Sequence, residues 1–131
     1  MEEEDAYTYL QRGRELLEDG HPAQAALVLE KARSIEPRKG SILEALGRAY
    51  YSCGRVKVAG ARFAEALEVD PTNDFAHYCL GLCLLKAHRS KEAGAHFKLA
   101  WSMRPREIYR EKAAMFGAAG AVDARPASRT P

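Results

Sequence analysis

The chain has few cysteines, one tryptophan and no long hydrophobic run, and each shortage removes a class of protein. Cys53, Cys79 and Cys83 are its only cysteines. An odd number without regular spacing is no disulfide framework, and reduced thiols suit the cytosol. The longest apolar stretch, residues 78–85, falls far short of the roughly 20 residues that span a bilayer. The acidic start, Met-Glu-Glu-Glu-Asp, is unlike a secretory or organelle signal. A cytoplasmic protein with no membrane association is expected.

Motifs for chemistry are also missing. Ser34, Ser41, Ser52, Ser90 and Ser102 stand in no Gly-x-Ser-x-Gly context. No glycine-rich loop could cradle a phosphate. Cys79 and Cys83 lie one helical turn apart with His77 and His88 nearby. Zinc pairs, however, usually come as short knuckles with a second pair elsewhere, so small buried thiols are the expected reading. His21 and His96 read as turn and surface residues. No catalytic residue, cofactor or metal ligand is therefore assigned, and the chain is expected not to be an enzyme.

The net charge of +2 conceals a gradient. Residues 1–39 carry nine acids and six bases, for −3; residues 40–85 carry five and four, for −1; residues 86–131 carry four and ten, for +6. The basic residues are dispersed and not interleaved with aromatics, which argues against a nucleic-acid partner.

What the chain has is a period. Pro37, Pro71 and Pro105 stand 34 residues apart. Before them recur Ala32, Ala66 and Ala100; Leu29, Phe63 and Phe97; Ala25, Ala59 and Ala93; and Gly13, Gly47 and Gly81. A unit of this size cannot bury its apolar face alone, so neighbouring units supply the core. Each unit reads as two amphipathic helices, as in Ile42, Leu43, Leu46, Ala49 and Tyr50, followed by Val56, Ala59, Phe63, Ala66 and Leu67. The spacing predicts helices over 5–18, 22–35, 40–53, 56–69, 74–87 and 90–103. Gly20 and Gly54 end first helices in a left-handed conformation, with His88 in the same place in the third unit. Pro22 opens a second helix, and Ser90 is the expected N-cap of another. The residue before each closing proline avoids helical geometry. The recurring glycines and alanines let paired helices approach closely.

A seventh segment, 106–117, carries Tyr109, Lys112, Ala113 and Phe116 at helical spacing and would cap the last unit. Leu99, Trp101 and Met103 read as a core stripe, with Trp101 packed on that cap. The expected organisation is an acidic lead over 1–5, units over 6–39, 40–73 and 74–107, the cap, and a disordered tail over 118–131.

This pattern is similar to the tetratricopeptide repeat, whose signature is Trp-x2-Leu-Gly-x2-Tyr followed by Ala, an aromatic, Ala and Pro. The second unit carries Leu43, Leu46, Gly47 and Tyr50, then Ala59, Phe63, Ala66 and Pro71. The third has His77, Leu80, Gly81 and Leu84, then Ala93, Phe97, Ala100 and Pro105. The first has Tyr9, Arg12, Gly13 and Leu16, then Ala25, Leu29, Ala32 and Pro37. The Ala- and Arg-rich composition suits a bacterial chain from a GC-rich genome.

The resemblance implies an all-α, right-handed superhelix of three helix pairs plus a capping helix. Its first helices would line a concave groove that binds peptide segments. Extending the helical phase puts Tyr7, Leu10 and Arg14, then Glu44, Arg48, Tyr51 and Ser52, then Phe75, Tyr78, Leu82 and Lys86 on that face. Those positions are either a binding surface or the solvent face of a scaffold. Arg and Tyr there suit an acidic partner with an aromatic or aliphatic anchor. Chaperone adaptors of the family hold a carboxylate with a five-residue clamp. The matching positions here, Leu10, Arg14, Ala45, Phe75 and Cys79, carry none of its residues. A monomeric protein-binding adaptor is the leading expectation. The alternative is a scaffold assembled by end-to-end stacking of repeats, through weak self-association.

Overall fold

The computed structural model describes residues 4–117. Seven helices run in order: α1 (Ala6–Glu18), α2 (Pro22–Ile35), α3 (Gly40–Ser52), α4 (Val56–Val69), α5 (Asp74–Lys86), α6 (Ser90–Met103) and α7 (Glu107–Phe116). Among the described residues there is no strand. The helices fall into two compact units. One, up to Pro71, holds α1–α4; the other, from Thr72, holds α5–α7. Of the acidic lead, only Glu4 and Asp5 are described, and the tail expected over 118–131 lies outside the described residues.

In the first unit the chain entry is ordered by charge. The Asp5 carboxylate accepts the Thr8 N–H at 2.8 Å and caps α1, while Glu4 pairs with Arg12 at 2.6 Å. α1 packs on α2 and α3 on α4 through glycines that meet large side chains. A Cβ on Gly47 would stand 2.6 Å from the Phe63 ring, and one on Gly13 would run into Leu29. Helical glycine costs about 1 kcal/mol against alanine. Burying a leucine or phenylalanine side chain stabilises by about 1.5–3 kcal/mol. The close approach therefore wins, and Leu29 and Phe63 are almost wholly buried. Gly20 and Gly54 both adopt φ +83, the left-handed turn that glycine tolerates. α2 and α3 are joined by a polar link: the Tyr50 hydroxyl donates to Glu30 at 2.5 Å, and Arg33 donates to the same carboxylate at 2.9 Å. Burial pushes the Glu30 pKa up, but these two donors outweigh it and hold the carboxyl below its usual range.

The second unit repeats the device. A Cβ on Gly81 would stand 2.5 Å from the Phe97 ring. Asn73 caps α5 by accepting the Ala76 N–H at 2.9 Å. His88 turns the chain at φ 62, the left-handed region, as a non-glycine residue. Ser90 does not cap α6: Arg89 occupies the N-cap position without a side-chain hydrogen bond, and Ser90 is already the first helical residue.

α7 packs on α6, and Trp101 is not buried beneath it as the residue pattern predicts. Trp101, Leu99 and Met103 remain on the surface, Trp101 with 38% exposure. The cap is anchored by Tyr109, which is fully buried. Its ring packs 5.3 Å from Tyr78, and its hydroxyl donates to Asp74 at 2.7 Å. Phe116 packs 5.9 Å from Phe97. The phase of α7 turns Tyr109 toward Tyr78 of α5 and Phe116 toward Phe97 of α6.

Candidate functional site

In the first unit, α1 and α3 are in contact and carry most of the residues expected at a binding surface. Tyr7 is 66% exposed at the start of α1. Arg14, one helical turn before the end of α1, is exposed and donates to Gln11 at 3.1 Å. Arg48, its equivalent 34 residues on, is exposed on α3. Glu44 and Tyr51 are half-buried one turn to either side of Arg48, and Ser52 is exposed at the helix end. Leu10 is a correction. It is 5% exposed and belongs to the core with Ala6, Ala25 and Leu46, because its position on α1 faces inward, between the helices. It offers no surface to a ligand.

In the second unit, α5 carries Phe75, Tyr78 and Leu82 half-buried and Lys86 exposed. The Tyr78 ring is already engaged. It packs 5.9 Å from Phe97 and 5.3 Å from Tyr109, with Phe75 6.2 Å away. Tyr78 thus serves the packing of α7 as much as the surface. Burial raises its pKa.

Two features of this unit escaped the sequence. The first is the Tyr109–Asp74 bond. Burial, then the Asp74 hydrogen bond, push the Tyr109 phenol up to about 12. Burial opposes ionisation of Asp74, but Tyr109 and Arg104 donate to it, Arg104 at 3.3 Å, and hold it below the usual aspartate value. The residues stand 35 apart in sequence, and nothing in the spacing pairs them.

The second is a histidine pair. His77 is 7% exposed and stacks on His96 with ring centroids 5.3 Å apart and Nδ1 atoms 3.0 Å apart. His96 is therefore half-buried, not a free surface residue. The Nδ1 contact needs one donor and one acceptor, so the pair does not accommodate two protonated rings. Burial, followed by the His77 charge, lowers the His96 pKa from 6.5, with Glu92 acting in the opposite direction. The depressed value fixes the sign. The unfolded chain binds the proton more readily, so this contribution is present above pH about 6.5 and is lost as pH falls through the folded pKa. The midpoint of thermal unfolding of the second unit should fall on acidification below that pH, and His96→Gln should flatten the dependence. A profile of equal slope in both proteins would remove the pair from the account.

Cys79 and Cys83 are buried thiols on α5, and burial raises Cys83 to about 11, which keeps it protonated and unreactive. No group of three or more potential metal ligands occurs among the described residues. Among those residues, no helix is long and apolar enough to cross a membrane.

Helix pairs that close on each other where Gly13 meets Leu29, Gly47 meets Phe63 and Gly81 meets Phe97 define a helical-repeat protein. Residues 10–74 and 63–95 match two family models, each described as tetratricopeptide repeat. The chain belongs to the tetratricopeptide repeat family, a protein-interaction fold that is generally non-catalytic. No curated protein matches it in sequence.

Solved structures of the same fold share little sequence with it. The first repeat domain of Spaghetti (RPAP3), bound to the HSP90 peptide SRMEEVD, is 15% identical with TM-score 0.82, over 88% of this chain and 92% of that one. The Sgt2 repeat domain from Aspergillus fumigatus is 18% identical with TM-score 0.79, over 86% and 76%. The type III secretion chaperone SycD of Yersinia enterocolitica, in complex with a peptide of the translocator YopD, is 14% identical with TM-score 0.77, over 86% and 90%.

Proposed function

We propose that this chain is a non-catalytic adaptor that binds a segment of a partner protein on the exposed faces of its first helices. The observation that carries the reading is the placement of Arg14 and Arg48 at equivalent, exposed positions on α1 and α3, with exposed Tyr7 on α1. Arginine presents a planar fork that fits carboxylates, and Tyr and Arg are the types enriched at binding hot spots. The second unit offers Phe75, Leu82 and Lys86 on the equivalent helix. The preferred segment carries acidic residues and an aromatic or large aliphatic anchor. Peptide binding by Spaghetti and SycD supports a peptide ligand in kind.

A chaperone-type carboxylate clamp is not part of this proposal. Leu10, Ala45 and Cys79, at three of its five positions, are buried. The cytoplasm is the proposed compartment, since thiols such as Cys83 are not joined in disulfides. A monomer fits better than end-to-end stacking because α7 packs on α6, the last repeat helix. Neither nucleic acid nor membrane is a proposed partner.

The test is affinity capture with the intact chain and with Arg14→Glu plus Arg48→Glu. Exposed ion pairs contribute about 0.2–1 kcal/mol each and are screened by salt. The double variant should lose roughly tenfold or more in affinity, since each site changes from attraction to repulsion. Its salt dependence should reverse, because added salt then screens repulsion. Unchanged binding and unchanged salt dependence would eliminate the two arginines as the recognition element.

A further inference from the structure

α7 begins where a first helix of the next pair would begin. First helices begin at Ala6, Gly40, Asp74 and Glu107, nearly one period apart. Three of them are followed by a packed partner, whereas among the described residues no element follows α7. Beside it, α6 and α7 leave an open groove of about 1160 Å³. Its floor is apolar: Leu99 is 42% exposed, Met115 is 66% exposed, and Phe116 lies beside them.

Its rim is cationic. Lys91 and Lys98 line the groove, and among the described residues neither makes an ion pair. Lys98 is held in place, because its stem lies against Gly117 so closely that a Cβ there would stand 2.5 Å from its Cγ. The Lys112 ammonium sits over the Phe116 ring at 6.0 Å. The one acid lining the groove, Glu92, is already clamped by Arg89 through hydrogen bonds of 2.5 and 2.7 Å. The groove therefore presents positive charge around an apolar floor.

We propose that the α6–α7 groove docks an acidic amphipathic helix of a partner protein, laid along its apolar floor. Small-molecule sites enclose roughly 300–1,000 Å³ and bury most of their ligand, whereas this groove is open and larger. An amphipathic helix laid in a groove is a standard mode of recognition, and the lysines select carboxylates on its flanks. The chain's own residues 118–131 are a poor occupant. They contain one large aliphatic residue, Val122, and two arginines, Arg125 and Arg129, which the lysines repel. The site is separate from the first-helix faces of α1 and α3, and it does not depend on the function proposed for them.

The experiment uses the full chain with labelled Leu and Met methyl groups. The probe is a synthetic helical peptide with a Leu/Phe stripe flanked by glutamates. A second peptide keeps the stripe and replaces the glutamates with lysines. The glutamate peptide should shift the Leu99 and Met115 methyl signals, and the lysine peptide should not. Lys91→Glu with Lys98→Glu should weaken binding by about tenfold or more; Lys91→Gln with Lys98→Gln should give a smaller loss and guards against a folding defect. Arg14→Glu with Arg48→Glu should leave this binding unchanged. Four results would each overturn the proposal: silent Leu99 and Met115 methyls, equal binding of both peptides, the same shifts on raising protein concentration alone, and binding that appears only after residues 118–131 are removed. The third would assign the groove to a second copy of the chain and the fourth to its own tail.

Discussion

Tyr109→Ala should destabilise the second unit by about 3–5 kcal/mol, the range for emptying a buried aromatic site. The side chain is fully buried and packs on Tyr78. It also donates to Asp74, so its loss takes a charge-assisted hydrogen bond as well. Tyr109→Phe keeps the ring and removes only the bond. It should cost about 1–3 kcal/mol, toward the lower end because Arg104 still pairs with Asp74. The chain's single tryptophan, Trp101, lies on α6 in the same unit, so its fluorescence during urea unfolding reads this unit directly. The alanine variant should unfold at clearly lower urea than the phenylalanine variant. If the two unfold together, α7 is not held by the Tyr109 ring.

The second large effect is a change of sign. Phe63→Ala should cost about 3–5 kcal/mol by leaving a cavity, since Phe63 is 1% exposed. Gly47→Ala alone adds about 1 kcal/mol of helix propensity. It also drives a methyl into a ring 2.6 Å away that has no room to retreat, and overpacking of this kind costs about 1–3 kcal/mol. Destabilisation should win. In the Phe63→Ala background the obstacle is gone, and Gly47→Ala should become stabilising by about 1 kcal/mol. The coupling across the pair should lie within about 0.5–3 kcal/mol. Urea titrations of the four proteins measure it. An alanine at position 47 that acts the same way in both backgrounds would mean that the glycine–aromatic contact does not set the helix spacing.

That contact also explains why the fold was legible in the sequence. Glycine, aromatic, alanine and proline recur at one spacing because each solves a local problem of packing or termination. Helix bounds read from them fall within one residue of those observed. The errors arose where the period is silent. Ser90 was expected to cap α6, but the tight turn at His88 starts the helix one residue earlier. Leu10 was expected at the surface, yet the close approach of α1 to α2 and α3 buries it. Trp101 was expected to be buried beneath α7, where the fully buried ring is Tyr109. The His77–His96 and Asp74–Tyr109 pairs join residues 19 and 35 apart, separations that match no helical period. They depend on how whole helices are placed, which no local pattern encodes. The proposed binding surface was legible only as residue type and phase, and that information names candidates without naming a ligand.

The most direct measurement of the central claim is amide chemical-shift mapping of the full chain with the partner segment recovered by capture. Shifts should concentrate on α1 and α3 at Tyr7, Arg14, Arg48 and Tyr51, and Arg14→Glu with Arg48→Glu should need roughly tenfold or more of the segment to produce them. Shifts confined to α2 and α4, with the first helices silent, would contradict the claim that this protein binds through its first helices.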